Sequence, residues 1–380
     1  MLLGFSLAFL LGCISTASST NTTGLADFSK SGINTAGSIV VDRQGTTFSY
    51  IESGAPRRYS YTTVFLVHGL GFTSSIFQKV IASSASSNLR IVAVSRRNYP
   101  GSTGYTSEEI SILTNGTDAQ KSDFLKTTGI QLSTFIDKFT TQHNLPPISG
   151  NNGGIAILGW SLGNAFTLAS LANADALASD AKSRLQARLR AVIMLEPPSI
   201  VLGLNAPPQT WSPHTDSSIS PALQTPLFTN WITSYFKHGD ITKSDPNLLS
   251  YVVPDFLRTP SIYSMTPQQV SHVVFQPAAD PTTGPDFLFM IKLVPQFLTQ
   301  YKKALYDKTL RGLFPNMKVW MVTGDATASF SLAAMFSMKI DDKAAGGNNV
   351  KYKVVSGTNH FIHWDHPTRF VHLLHTLIGV

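Results

Sequence analysis

Cysteine is almost missing from this chain: its 380 residues hold one, Cys13, inside the first apolar run. A lone thiol makes no intrachain disulfide and supplies neither a thiolate metal site nor an iron–sulfur cluster. A chain of this length buries enough core to fold without such staples. Charge is scarce too. Asp, Glu, Lys and Arg make up 13%, against roughly 25% in ordinary soluble domains. Yet 43% of the residues are hydrophobic and 10% aromatic, the opposite of the composition that leaves a chain disordered. The net charge of +7 comes from 29 basic and 22 acidic residues, and the bases are scattered. The densest stretch, 182–190, mixes Lys and Arg with Ala, Leu and Gln, as a solvated helix face does. Nucleic acid is not the partner.

Long hydrophobic runs are also lacking. The longest, 2–14, falls short of the ~20 residues that a membrane span needs. It is followed by Ser15-Thr16-Ala17-Ser18-Ser19, with Ala17 and Ser19 suitably placed for cleavage. Residues 1–19 therefore read as a signal peptide, although no Lys or Arg precedes the run; the alternative is an uncleaved anchor, with no stable membrane span expected. Cleavage removes Cys13 and with it any thiol nucleophile. A secreted or secretory-pathway protein is expected, and Asn21 and Asn115 head glycosylation triplets.

No internal repeat is present. Short apolar runs alternate with longer amphipathic ones, the pattern of β-α units around a mostly parallel sheet. Segments 39–42 and 47–52 flank Gln44-Gly45 as an opening hairpin. Strands are expected at 63–67, 89–95, 155–158, 191–195, 319–323 and 350–355, and a helix at 123–142. From 198 to 310 the alternation fails, while Trp211, Phe228, Trp231, Tyr235, Phe236, Tyr251 and Phe256 recur among prolines. We read that stretch as a helical cap, inserted between core segments 20–197 and 311–380 and placed over a pocket.

The chemistry gathers around Gly159-Trp160-Ser161-Leu162-Gly163. The pentapeptide is common by chance. Here an apolar strand precedes it and a helical pattern follows, as a strained turn that lifts a serine hydroxyl above a sheet requires. A side chain at 159 or 163 is expected to clash as the two positions approach each other. The amide of Leu162, at the positive end of the following helix, points to a developing oxyanion.

With these residues the chain resembles the α/β-hydrolase superfamily over nearly its whole mature length, apart from the cap. The resemblance implies an eight-stranded, mostly parallel sheet flanked by helices, with the cap inserted after strand six. His68-Gly69-Leu70-Gly71 resembles the oxyanion loop after the third strand, which makes the Leu70 amide the second donor and leaves His68 to shape the loop. Arg97-Asn98-Tyr99-Pro100-Gly101-Ser102 resembles the structural R-G-x-G-x-S turn, with two departures.

The base comes from the loop after the last strand. Gly357-Thr358-Asn359-His360-Phe361-Ile362-His363-Trp364-Asp365-His366-Pro367 resembles the family's H-F/W-x-x-x-D/E-x-P ending, in which the first histidine, here His360, is catalytic. His363 then lines or packs, and Asp365 caps the final helix. Three histidines and an aspartate in seven residues also suggest a metal site, but no second ligand-bearing segment completes one, and no cofactor is expected.

The acid departs from the pattern. Its usual place, three residues past Gly324, holds Thr327; Asp325 comes two residues early. In some relatives the acid follows strand six, where Glu196 stands. Glu196 is the first candidate and Asp325 the alternative.

These residues imply hydrolysis of a carboxylic ester or lactone, or of an amide, of an apolar small molecule through an acyl-enzyme. The same triad also serves acyl transfer and carbon–carbon or cyanohydrin cleavage, and a non-catalytic ligand-binding member of the fold is the reading from another class. Epoxide hydrolases and haloalkane dehalogenases need an aspartate where Ser161 stands.

Overall fold

The computed structural model describes residues 35–57 and 60–380. The expected leader 1–19, Cys13 and Asn21 lie outside these residues.

β1 (Thr35–Val40) and β2 (Thr47–Glu52) form the opening antiparallel hairpin. Its turn closes as Asp42 accepts the amides of Gln44 and Thr46. The remaining strands are β3 (Thr62–Val67), β4 (Leu89–Val94), β5 (Ile155–Trp160), β6 (Leu189–Leu195), β7 (Lys318–Gly324) and β8 (Lys351–Val355). One eight-stranded sheet results, in the order β1-β2-β4-β3-β5-β6-β7-β8. From β4 to β8 all neighbours run parallel, and β2 meets β4 antiparallel.

Every residue of β3, β4, β5 and β6 is buried, because helices cover both faces; hence the long apolar runs, interrupted by Arg90 and Arg190 at the second position of β4 and β6. Successive side chains serve opposite layers. Phe65 and Val67 join one core with Phe135 and Phe139, while Val64 and Leu66 join the other with Trp160 and Trp364. At the far edge β8 exposes Lys351 and Lys353, charges that discourage pairing with another chain.

The helix Asp118–Gln142 starts five residues earlier than its apolar spacing suggests, because Thr117 and Gln120 close a capping box. The basic stretch 182–190 is spent locally: Arg184 pairs with Asp137 at 2.7 Å, and Arg188 and Arg190 donate to loop carbonyls.

Between β6 and β7, helices replace strands among the described residues. Prolines stand at the first or second position of five of the α-helices, Pro221–Ile232, Pro267–Val273, Gln276–Ala279, Pro285–Lys292 and Val294–Tyr306, since proline's fixed φ suits a first turn that has no amide partner anyway. The helix Val294–Tyr306 packs on Gly163–Ala172 beside the sheet. Farther forward the insertion clasps the loop after β3: Thr73 N donates to Val273 O, and Phe275 N to Gly71 O, both at 2.8 Å. Among the described residues no helix is long and apolar enough to cross a membrane.

Candidate active site

Strand order reverses around β3 and β4, and crevices form at the carboxyl ends of strands beside such a reversal. Ser161 stands there, after β5 and before the helix Gly163–Ala172. Its φ is +54°, a conformation that costs a non-glycine residue on the order of 1 kcal/mol or more and needs surrounding support. The support is present. Ser161 N donates to Leu195 O at 2.9 Å, and Asn164 Nδ2 ties Ser161 O to Leu195 O at 2.8 and 3.1 Å.

The two glycines of the pentapeptide do not meet each other as the sequence suggested. A Cβ on Gly163 would lie 2.2 Å from Val67 O, the end of β3, and one on Gly159 would lie 2.7 Å from Asn164 Cα in the new helix. The crowding arises because the helix turns back across its own strand and its neighbour. A third glycine matters more to the hydroxyl. A Cβ on Gly69 would sit 2.8 Å from Ser161 Cβ, so the loop after β3 lies directly over the serine.

The amides of Leu70 and Leu162 find no acceptor among the described residues. Ser161, Leu70 and Leu162 all line one cavity of about 180 Å³. Its other walls come largely from the insertion, through Trp211, Phe228, Trp231, Phe287 and Met290, with Phe330 from the core. Of the remaining aromatics noted in the sequence, Tyr235, Phe236 and Tyr251 are buried and Phe256 is 86% exposed. A larger groove of about 580 Å³ runs past Asn88, Asn152 and His375 at the opposite ends of the strands, away from these groups.

Glu196 and His360 come together; Asp325 does not join them. His360 Nδ1 lies 3.4 Å from Glu196 Oε2, both side chains being 1% exposed. The carboxylate also accepts Gly324 N at 2.6 Å and the Thr327 hydroxyl at 2.7 Å. Asp325 instead accepts Gly357 N at 2.6 Å and Ser356 Oγ at 2.8 Å, bracing the turn after β8. Thr327, at the place where an aspartate was expected, thus serves the carboxylate that replaces it. The link needs β6 and β7 to be neighbours, which the sequence does not announce.

His360 is fixed from behind: its carbonyl accepts the Trp160 indole N–H at 3.0 Å, and Phe330 stands edge-on at 5.3 Å. The Ser161 hydroxyl makes no hydrogen bond to a described residue, His360 included, and Ser161 lines the cavity.

The other histidines do different work. His68 is fully buried; its Nε2 accepts Arg96 N at 3.0 Å, so Nδ1–H donates to Gly69 O at 3.1 Å. Burial, with Arg96 nearby, holds its pKa well below 6.5. His363 is buried among Phe77, Trp160, Phe361 and Phe370, where burial, and after it His360, hold its pKa well below 6.5. Such rings offer no partner ligands. Among the described residues no group of three or more His, Cys, Asp and Glu is placed to hold a metal. Asp365 does not cap the last helix. That helix begins at Pro367 with His366 before it, and Asp365 accepts Tyr235 OH at 2.7 Å and Ser261 Oγ at 2.5 Å from the insertion.

Sequence reasoning gave no role to Gly69, Thr327, Arg96 or Asp286. The last two form an ion pair of 2.5 Å beneath the loop after β3. The doubled arginine after a buried strand was the one available hint.

The sequence profile of the alpha/beta hydrolase family matches residues 64–373. No curated protein matches. Among solved structures, the haloalkane dehalogenase DatA of Agrobacterium tumefaciens aligns with a TM-score of 0.50 and 14% identity, covering 92% of this chain and 98% of that one. An esterase from Rhodococcus sp. gives 0.48 and 14%, covering 92% and 98%. A bromoperoxidase from Bacillus anthracis gives 0.48 and 13%, covering 91% and 100%. At such identities the likeness concerns the fold, whereas the profile match spans most of the sequence: the chain belongs to the alpha/beta hydrolase family.

Proposed function

We propose that this protein is a serine hydrolase that cleaves a carboxylic ester or lactone of an apolar small molecule through an acyl-enzyme. One observation carries the reading. A serine held at positive φ opens on an apolar cavity that Leu70 and Leu162 also line, and its own strand neighbours the one that leads into Glu196, buried against His360.

Ser161 Oγ attacks the substrate carbonyl while His360 Nε2 takes its proton. Nδ1 is committed to Glu196, which selects the tautomer and stabilises the imidazolium that forms. Negative charge developing on the carbonyl oxygen meets the amides of Leu70 and Leu162, donors that need no reorganisation at the moment of reaction. His360 then protonates the leaving alcohol, and water repeats the sequence on the acyl-enzyme. The aromatic walls favour an acyl group of modest size and offer little to recognise a peptide. Turnover of p-nitrophenyl acyl esters tests the reading. Ser161→Ala should lower kcat on the order of 10⁴-fold or more, and unchanged turnover in that variant would sink it.

A further inference from the structure

The insertion reaches the oxyanion loop through a buried ion pair. Leu70 N–H belongs to the Gly69–Leu70 peptide, and no cis peptide occurs among the described residues. A trans peptide points its C=O and N–H in opposite directions, so whatever fixes Gly69 O also aims the amide of Leu70.

Arg96 does the fixing. Its Nη2 donates to Gly69 O at 2.9 Å and its Nε to His68 O at 2.9 Å. The guanidinium lies over the ring of Phe166 and is 1% exposed with its residue. Its two terminal nitrogens grip both oxygens of Asp286, at 2.8 and 2.5 Å. Asp286 is 0% exposed and sits in the first turn of the insertion helix Pro285–Lys292. Tyr99 OH completes the set by donating to Asp286 Oδ2 at 2.6 Å while accepting Gly71 N at 3.0 Å. Residues 68, 69 and 71 are thereby all tied to one buried pair.

A pair this deeply buried is a poor device for stability, because desolvation offsets most of the attraction. It is a good device for orientation, since a planar fork with fixed donors sets angles as well as distances.

We propose that Asp286, acting through Arg96, is a positioning residue for the Leu70 amide, so that seating the helix Pro285–Lys292 and completing the oxyanion hole are one event. The inference rests on the serine-hydrolase reading above. The insertion then contributes to turnover as well as to pocket shape.

The test compares wild type, Asp286→Asn and the double variant Arg96→Met/Asp286→Leu. The double variant leaves no unpaired buried charge, so it carries the test if the single variant fails to fold. Each is assayed for kcat and KM on p-nitrophenyl butyrate, and for inhibition by an alkyl trifluoromethyl ketone, whose hemiketal oxyanion fills the hole. Expected are a kcat loss on the order of 10²-fold, a matching loss of inhibitor affinity, and a KM within a few-fold of wild type. A folded double variant with wild-type kcat and inhibitor affinity overturns the proposal. So does a rise in KM with kcat intact, which would mark a purely pocket-shaping pair. Ser161→Ala is run alongside. An inactive wild type would remove the serine-hydrolase reading and this inference together, whereas an active double variant removes this inference alone.

Discussion

Ser161 and Glu196 end neighbouring strands in the same left-handed conformation, with φ of +54° and +53°. The match extends to the backbone: Ser161 N donates to Leu195 O across one strand gap and Glu196 N to Val322 O across the next, both at 2.9 Å. Two adjacent parallel strands thus stop by one device, each turning a side chain upward at the carboxyl edge. Non-glycine residues hold this backbone only where the surroundings demand it, and here both carry chemistry-bearing groups.

Glu196→Gln should lower kcat by on the order of 10³- to 10⁴-fold, because a carboxamide cannot stabilise the imidazolium and selects the wrong tautomer. Asp325→Asn should stay within about tenfold of wild type, its carboxylate being occupied with the turn at Ser356 and Gly357. Steady-state kinetics on one ester decides between them. A reversed order of losses would make Asp325 the acid.

Thr327→Val removes the hydroxyl that donates to Glu196 Oε2 at 2.7 Å. The carboxylate keeps Gly324 N, so the expected loss in kcat is about tenfold, the worth of one hydrogen bond to a charged group. Thr327→Ser should restore most of it.

Gly69→Ala places a methyl 2.8 Å from Ser161 Cβ. Either the loop after β3 or Ser161 must shift, and in the proposed mechanism misplacement of about 1 Å costs on the order of 10²-fold. Labelling of Ser161 by a fluorophosphonate should slow in parallel while the thermal midpoint moves only a few degrees.

Acid should destabilise the fold well before it protonates the carboxylates. Burial, opposed by Asp280, lowers His214 from 6.5 to about 4; His68 and His363 are held well below 6.5 too. The unfolded chain takes up these protons near 6.5 and the folded one does not. Stability is therefore full above that pH and falls as pH drops from 6.5 toward 4, with His214 alone worth at most about 3 kcal/mol. Urea midpoints at pH 7.5, 6 and 5 measure the slope, and His214→Phe should flatten part of it.

The sheet was legible because β3, β5 and β6 are buried on both faces and so read as long apolar runs. The strand–turn–helix corner at Ser161 was legible because its two glycines and its context are local, and the placing of His360 after the last strand because its loop follows that strand directly. What could not be read is set by contacts between distant segments. Choosing Glu196 over Asp325 requires knowing that Gly324 and Thr327, 128 and 131 positions onward, come to lie beside it. Asp286 looks like an ordinary first-turn acid until Arg96, 190 positions away, is seen against it. The aromatics after β6 announced a cavity wall, yet which of them face it depends on folding that no periodicity records.

The hold of residues 233–286 on three separate loops of the core bears on how new specificities arise in such a scaffold. Besides Asp286 under the loop after β3, His238 Nε2–H donates to Thr327 O at 2.7 Å and Asn359 donates to Thr233 O at 2.9 Å. Grafting a foreign roof onto these walls would exchange the chamber and unfasten the loops that carry the proposed catalytic groups in the same stroke. Retuning by small edits at Trp211, Phe228 or Met290, which face the chamber without gripping its frame, is the open route.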